Sequence, residues 1–541
     1  MTIRKLFTFA LLMLIGTSAW ANVLKLSKTI GFEPSGTFAL MGKFPKSDNF
    51  VVGIDHGGHK TSRVSLRFFD RNGVDLKKFE REEEFVAYSI AWDKMYLFTA
   101  SIGGYYQVGG KIPYARKALK AHTLYVLGEK GRVLSETPLP QTWLLPFAKT
   151  GHWQDSIEGR SNLFVSNGPY RLQSLNSGLF PVLLVDEIKS EIRFYDEKGK
   201  SRHVFETPQL IRSMTVVGED TIVALWTNKE KKTSGYLFFN GRGELKGSHQ
   251  ATGAFDFRGV LEDGTILLQK YIFSEDGSLA ERAEFFFVNP AGLIKHQLEV
   301  PFNRNYIYRP NGVSAGAFST GSYILALGLR PEVYFIQPDG KVTKHVATAQ
   351  GYREFGTNDI AMLGNDTVAL EMGTRDVEKG GAQAFVFYFD HEGRFLKRED
   401  MRANQLMAIR PLGDQAVVYS VHNSDDNVGT GLLIAGGANH VLSTSSIETG
   451  LGFSGGLRDA LPLKPGHTLL FTEKSIHWVN DQLHELGRFQ TKHGVQAVQR
   501  AGDLLVVAEG NYCWGLHPCS ASGKVRLNLL SIQDSQSIVS Q

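Results

Sequence analysis

Cysteine is nearly missing from this chain: two residues in 541, Cys513 and Cys519, alongside only 18 prolines. So few thiols exclude a disulfide-built miniature scaffold. They also leave too few ligands for a zinc knuckle, and the C-x-x-C-H signature of covalent haem attachment does not occur. Charge of one sign is lacking as well. Lys and Arg number 59 against 55 Asp and Glu, a net charge of +4, which gives no electrostatic footprint for nucleic acid. Beyond the N-terminus no stretch approaches the roughly 20 apolar residues of a membrane-crossing helix, so no membrane span is expected.

What is present begins with an address. Arg4 and Lys5 form a short positive region, Leu6 to Ile15 an apolar stretch, and Ala19-Trp20-Ala21 an A-x-A cleavage site. Residues 1–21 read as a signal peptide cleaved after Ala21, and residues 22–541 as the mature chain, periplasmic or secreted. An exported chain with two cysteines separated by five residues is expected to pair them, so Cys513 and Cys519 should close a small disulfide loop.

The rest of the chain is rhythmic. An aromatic or aliphatic pair, then Asp or Asn, two residues and Gly recur about every fifty residues. The hairpin reads Phe68-Phe69-Asp70…Gly73, Phe194-Tyr195-Asp196…Gly199, Phe238-Phe239-Asn240…Gly243, Phe287-Val288-Asn289…Gly292, Phe335-Ile336-Gln337…Gly340 and Tyr388-Phe389-Asp390…Gly393. In such a turn the Asp or Asn side chain caps backbone N–H groups, and the Gly takes a positive φ, so these residues are structural. Each hairpin follows a turn that opens an apolar run, as in Asp263-Gly-Thr-Ile-Leu-Leu268 and Gly364-Asn-Asp-Thr-Val-Ala-Leu370. Further inner turns are expected at Asp48-Asn49, Trp92-Asp93 and Asn167-Gly168. Continuous apolar runs between turn residues suit strands buried on both faces.

Four strands per unit at this period describe an all-β propeller. About ten repeats are counted, predicting eight to ten blades in one ring, with two smaller propellers as the alternative. The stretch Pro338-Asp-Gly-Lys-Val342 resembles the turn of NHL-type repeats, and Leu225-Trp-Thr-Asn228 is similar to YVTN-type repeats. Both are propeller repeats and imply no particular ligand.

In such a blade the loops after the second and fourth strands share one face of the ring. Here those loops (101–121, 141–160, 302–311, 422–430 and 510–522) are long and varied, and variation on a fixed scaffold is where binding resides. They carry Tyr105, Tyr106, Tyr114, Trp143, Trp153, Tyr306, Tyr308, Tyr512 and Trp514, accompanied by Arg116 and Arg309. Tyr, Trp and Arg dominate interface hot spots because they join a large contact area to a polar handle. These residues are the expected binding site for an envelope or extracellular protein, or for a polysaccharide.

Signals of catalysis are weaker. Gly452-Phe-Ser454-Gly-Gly456 fits G-x-S-x-G, yet Thr449-Gly-Leu-Gly before it and a proline at 462 deny it the strand and helix of a nucleophile elbow. His56 and His59 in Asp55-His-Gly-Gly-His59 are a partial metal set that would need a third ligand from another blade. Asn423-Ser-Asp-Asp-Asn-Val-Gly429 has alternating oxygen ligands but lacks the Gly and Glu of a calcium loop. Asp186, Glu187, Glu371, Asp376 and Glu378 are acids that could line a ring mouth. The reading is therefore a binding or scaffold module with no cofactor. A hydrolase or lyase acting on sugar or peptide at the ring mouth is the alternative.

Overall fold

A computed structural model of the chain describes residues 24–32, 37–55, 64–106, 118–139, 144–146, 170–171, 174–185, 189–218, 220–228, 233–273, 280–301, 313–327, 332–346, 354–375, 382–400, 405–412, 416–422, 430–436, 446–451, 457–472, 475–510 and 525–532. Every regular element among them is a β-strand. The burial of one blade, 210–252, shows why. Its second and third strands, Thr221–Asn228 and Thr233–Asn240, are buried on both faces apart from their ends, matching their unbroken apolar sequence. Its outer strand, Leu245–Thr252, alternates in exposure, as an edge with one face to water should.

Nine sheets result: eight of four strands and one of nine. The nine-stranded sheet holds two repeat units, 84–138 and 179–207, so the ten units read in the sequence form nine sheets. Hydrophobic clusters join successive sheets at most of the interfaces, and direct strand contacts join the 354–400 and 405–451 sheets. Phe68 and Leu66 of the 37–80 blade pack with Leu97 and Leu127 of the following unit. Phe287 and Leu267 pack with Leu325 and Tyr334 one blade further on. The series returns to its start, where Met41, Phe50 and Phe69 pack with Val506, Leu527 and Leu529 of the last blade. The protein is a single closed β-propeller. Its last blade is completed by the first strand, Leu24–Gly31, which pairs antiparallel with Arg526–Ile532.

The hairpin turns follow their chemistry. Asp70 Oδ1 accepts the N–H groups of Asn72 at 2.9 Å and Val74 at 2.8 Å. Asp196, Asn240, Asn289, Asp390 and Asn480 bind the N–H groups two and four residues on in the same way. The turn glycines also serve as contact points between blades. A Cβ on Gly131 would stand 2.7 Å from a Phe68 ring carbon, and one on Gly393 2.7 Å from Phe335 Cγ. In four hairpins the first aromatic, Phe68, Phe194, Phe238 or Phe335, thus lies against the glycine of the next hairpin, Gly131, Gly243, Gly292 or Gly393.

Of the expected inner turns, those at Asp48-Asn49 and Trp92-Asp93 are present, and Asp48, Trp92 and Asp93 adopt positive φ. Asn167-Gly168 lies outside the described residues. In that unit the described turn is at 175–179, where Leu175 N–H donates to Leu179 O at 2.7 Å and Gly178 has φ +85°.

Candidate functional site

Antiparallel order puts the tight turns on one face of the ring and the loops after second and fourth strands on the other. On that second face one blade departs from the rest. Lys94–Tyr106 has 13 residues and Ala118–Gly128 has 11, against 8 for Thr221–Asn228 and Thr233–Asn240 of the 210–252 blade. The turn at Trp92-Asp93 fixes their start, so the excess projects from the loop face. At about 3.3 Å per residue the overshoot is roughly 10–15 Å. Residues 101–106 and 118–121 are thus strand where the sequence suggests a loop, with Tyr105 and Tyr106 paired to Leu119 and Ala118. Leu144–Pro146 pairs antiparallel with Ala118 to Lys120, adding a third strand that continues to Val185 of the next unit.

This extension holds Tyr105 opposite Leu119 and Tyr106 opposite Ala118. Trp143 immediately precedes its third strand but lies, with Tyr114, Arg116, Trp153, Tyr306, Tyr308, Arg309, Tyr512 and Trp514, outside the described residues. So do Cys513, Cys519, His56, His59, Ser454, Asp186, Glu187, Asp376, Glu378 and the 423–429 segment. Glu371 is described. It is buried on a second strand, at 2 % exposure.

The channel wall holds a feature with no composition signature. Eight innermost strands carry a register break, near the loop-face end in six, midway along Glu354–Leu363 and nearer the tight turn in Ala254–Val260. In each, one or two residues have no partner on the second strand: Ala39, Val86, Arg212, Arg258, Asn358 with Asp359, Met407, Arg458 and Gln496. A bulge of this kind interrupts the ladder and re-aims the residue it carries. Only an alignment of the repeats against one another would have found this set, because no single residue type marks it: three of its members are Arg and the others differ.

Arg258 shows what such a position supports. Its Nε donates to Gln269 Oε1 and its Nη2 to Tyr271 OH at 3.0 Å, while Asp256 stands 3.8 Å away, beyond hydrogen-bond range. Gln269 is fully buried, and its Nε2 has no partner among the described residues.

Two other polar clusters are closed upon themselves. Ser475 Oγ lies 2.6 Å from His477 Nε2, and Glu485 Oε2 lies 3.7 Å from His477 Nδ1, in the order of a catalytic triad. Both Ser475 and His477 are buried, however, and the hydroxyl is also hydrogen-bonded to Thr472 Oγ1 at 2.7 Å. A substrate has no approach to that oxygen. On the tight-turn side, Lys295 Nζ meets Thr265 Oγ1 and Tyr323 OH at 3.0 Å, and Tyr323 OH donates to Asp263 Oδ2 at 2.9 Å. This network joins two blades. Burial opposes ionisation of Asp263, but hydrogen bonds from Thr265 and Tyr323 and the Lys295 charge lower its pKa.

An open cleft of about 230 Å³ lies between the first two units of the nine-stranded sheet, lined by Arg193, Tyr195, Lys198 and Lys200. Arg193 is already paired with buried Glu191. No cluster of three His, Cys, Asp or Glu able to hold a metal ion occurs among the described residues. No described helix is long and apolar enough to cross a membrane.

No family model matches the chain, and no curated protein matches it. Solved structures do resemble it, and they are propeller proteins. One described as the eukaryotic initiation factor is 10% identical over 78% of this chain and 90% of its own, with a TM-score of 0.44. The Dos1 propeller is 10% identical over 94% of this chain and 96% of its own, with a TM-score of 0.39. BamB from Moraxella catarrhalis is 10% identical over 94% of this chain and all of its own, with a TM-score of 0.35. Likeness at this level concerns the fold alone.

Proposed function

We propose that the chain is an exported binding or scaffold propeller whose loop face engages a protein or polysaccharide of the cell envelope or exterior. The observation that carries this reading is the three-stranded extension of 101–106, 118–121 and 144–146. Its first strand runs past the last pairing of the innermost strand, Glu84 opposite Ala100, so 101–106 has no described strand on that side, and the extension is built from the segments that hold Tyr105 and Tyr106 and adjoin Trp143. Exposed strand edges recruit partners through backbone pairing, and aromatic residues nearby supply contact area. The leader-like residues 1–21 support export, and with it a Cys513–Cys519 disulfide. Alkylation of those two residues should then require prior reduction.

The test is a pull-down from envelope extract with the mature chain, beside a Tyr105→Ala, Tyr106→Ala, Trp514→Ala triple variant of equal thermal stability. The expected result is one dominant partner retained by the wild type and lost by the variant. A partner held equally by both, or no specific retention, would refute the loop-face assignment.

A further inference from the structure

We infer that the open edge of the projecting extension takes up a strand from an acidic protein, so that the loop-face partner is an extended acidic polypeptide rather than a polysaccharide or a second copy of this chain. The inference rests on the loop-face reading above and narrows the partner which that reading leaves open.

Two independent observations carry it. The first is the backbone. Lys94–Tyr106 is flanked on its inner side by Glu84–Ala91, and that pairing ends with Glu84 opposite Ala100. On the other side the ladder steps from Ala100 opposite Ala121 to Tyr105 opposite Leu119. Residues 101–104 thus have no ladder partner on either side among the described residues, and Tyr105 and Tyr106 have one only toward Ala118–Gly128. Main-chain donors and acceptors left in this way pair with water or with an extended chain that reaches them. Proteins guard such edges with charge or proline. Every outer strand of the ring is so guarded, as by Lys77 and Lys78 in Asp75–Glu80, Lys246 in Leu245–Thr252 and Lys397 in Phe395–Asp400. From Met95 to Gly110 there is no charged residue and no proline. The edge at 101–106 is therefore open to an added strand, the mode by which an extended peptide joins a sheet.

The second observation is charge, and it selects the partner. Residues 94–128 contain no Asp or Glu but five cations, Lys94, Lys111, Arg116, Lys117 and Lys120, four of them within 111–120. Residues 137–154, which include the third strand Leu144–Pro146, also lack any acid and carry Lys149. The whole chain, by contrast, is nearly balanced at 59 to 55. Because Tyr106 pairs with Ala118, the cations between them are tethered to the end of the open edge. A second copy of the chain would bring the same uncompensated positive charge to that edge, which opposes self-pairing. An acidic strand answers both features: its amides complete the ladder and its carboxylates meet the excess charge. An acidic polysaccharide answers the charge but offers no matched row of amides.

The experiment titrates the full mature chain into a fluorescent peptide that alternates Val or Thr with Asp or Glu, read by anisotropy at low salt. Two control peptides keep its length: one has Lys for every acid, and the other keeps the acids but is N-methylated at every amide. Polygalacturonate is the polysaccharide arm. Saturable binding of the acidic peptide is expected, weakened about tenfold or more by N-methylation and absent for the Lys peptide. Ile102→Pro, checked by its thermal melt, should weaken binding to a similar extent, because proline removes a donor from the edge strand. The N-methylated peptide tests the same point without altering the protein. No saturable binding, equal binding of the N-methylated peptide, or tighter binding of polygalacturonate at equal carboxylate concentration would overturn the inference. Should that happen while the envelope pull-down still yields a partner lost in the triple variant, strand pairing falls and the loop-face reading stands. Failure of both removes the site itself.

Discussion

At the scale of single residues, two constraints on glycine can be separated. Gly178 has φ +85° with open space where a Cβ would be, whereas Gly393 has φ +82° and a Cβ there would meet Phe335 Cγ at 2.7 Å. Gly178→Ala carries only the left-handed backbone cost, about 1–2 kcal/mol. Gly393→Ala adds overpacking against a buried ring and should cost roughly 2–5 kcal/mol. Urea unfolding of the two variants measures the difference, and equal losses would remove the inter-blade role assigned to Gly393. Both demands were half legible: Asp-x-x-Gly announces the positive φ, but the neighbour's ring arrives from a blade about fifty residues away and leaves no local trace.

Glu485 gives a second residue-scale prediction. Burial opposes its ionisation, yet the pull of His477 and Arg488 outweighs burial and holds the carboxyl at about 2. The imidazole at 3.7 Å is within ion-pair range only, so the bidentate Arg488 contact, with two bonds of 2.7 Å, carries most of the effect. A folded pKa below the ordinary value of 4.5 contributes stability above that pH, which is lost as pH falls toward about 2. Glu485→Gln should therefore be less stable than the wild type at neutral pH, with the gap closing between pH 4.5 and 2. Urea midpoints across that range check it, and a gap independent of pH would show that the carboxylate charge is irrelevant.

Among elements, the third strand of one blade is stapled to the innermost strand of the next. Ser190 Oγ accepts the Ile211 N–H at 2.8 Å, and Ser234 Oγ accepts the Phe255 N–H at 3.1 Å while donating to Gly253 O. All four residues, Ser190, Ile211, Ser234 and Phe255, are buried, so removing either hydroxyl strands a backbone donor. Ser190→Ala and Ser234→Ala should each cost about 1–3 kcal/mol, read by denaturant unfolding. A loss confined to one of them would show that the staple is not a repeated device. The serines open strands and are unremarkable in sequence. The same holds for the bulges: Ala39, Arg212, Met407 and Gln496 share a register position and nothing else. Periodicity of apolar residues conveys which strands are central, but a ladder break depends on the partner strand's register. The segment 101–106 reads as a loop from its place after a second strand, and Gly103 and Gly104 interrupt any apolar pattern that would mark it as strand.

At the scale of the molecule, closure decides whether the blades act as one body. Each blade packs against two neighbours, and the last sheet is complete only through Leu24–Gly31, paired from Leu24 opposite Ile532 to Gly31 opposite Arg526. That strand also reaches the first blade, where Lys28 Nζ donates to Gly73 O at 2.9 Å, and it holds the last through Thr29 Oγ1 to Asn528 Oδ1 at 2.9 Å. A mature chain lacking residues 22–31 would leave Arg526–Ile532 as an open edge beside a ring interface that has lost its bolt. Several ladder bonds and the packing of Leu24 and Ile30 would go at once, so a loss of several kcal/mol is expected. Calorimetry should show a lower, broader transition with concentration-dependent association, and a synthetic peptide of residues 22–32 added in trans should restore it. An unchanged melt would mean that the ring is held by its hydrophobic interfaces alone, with the first strand as an ornament on the last blade.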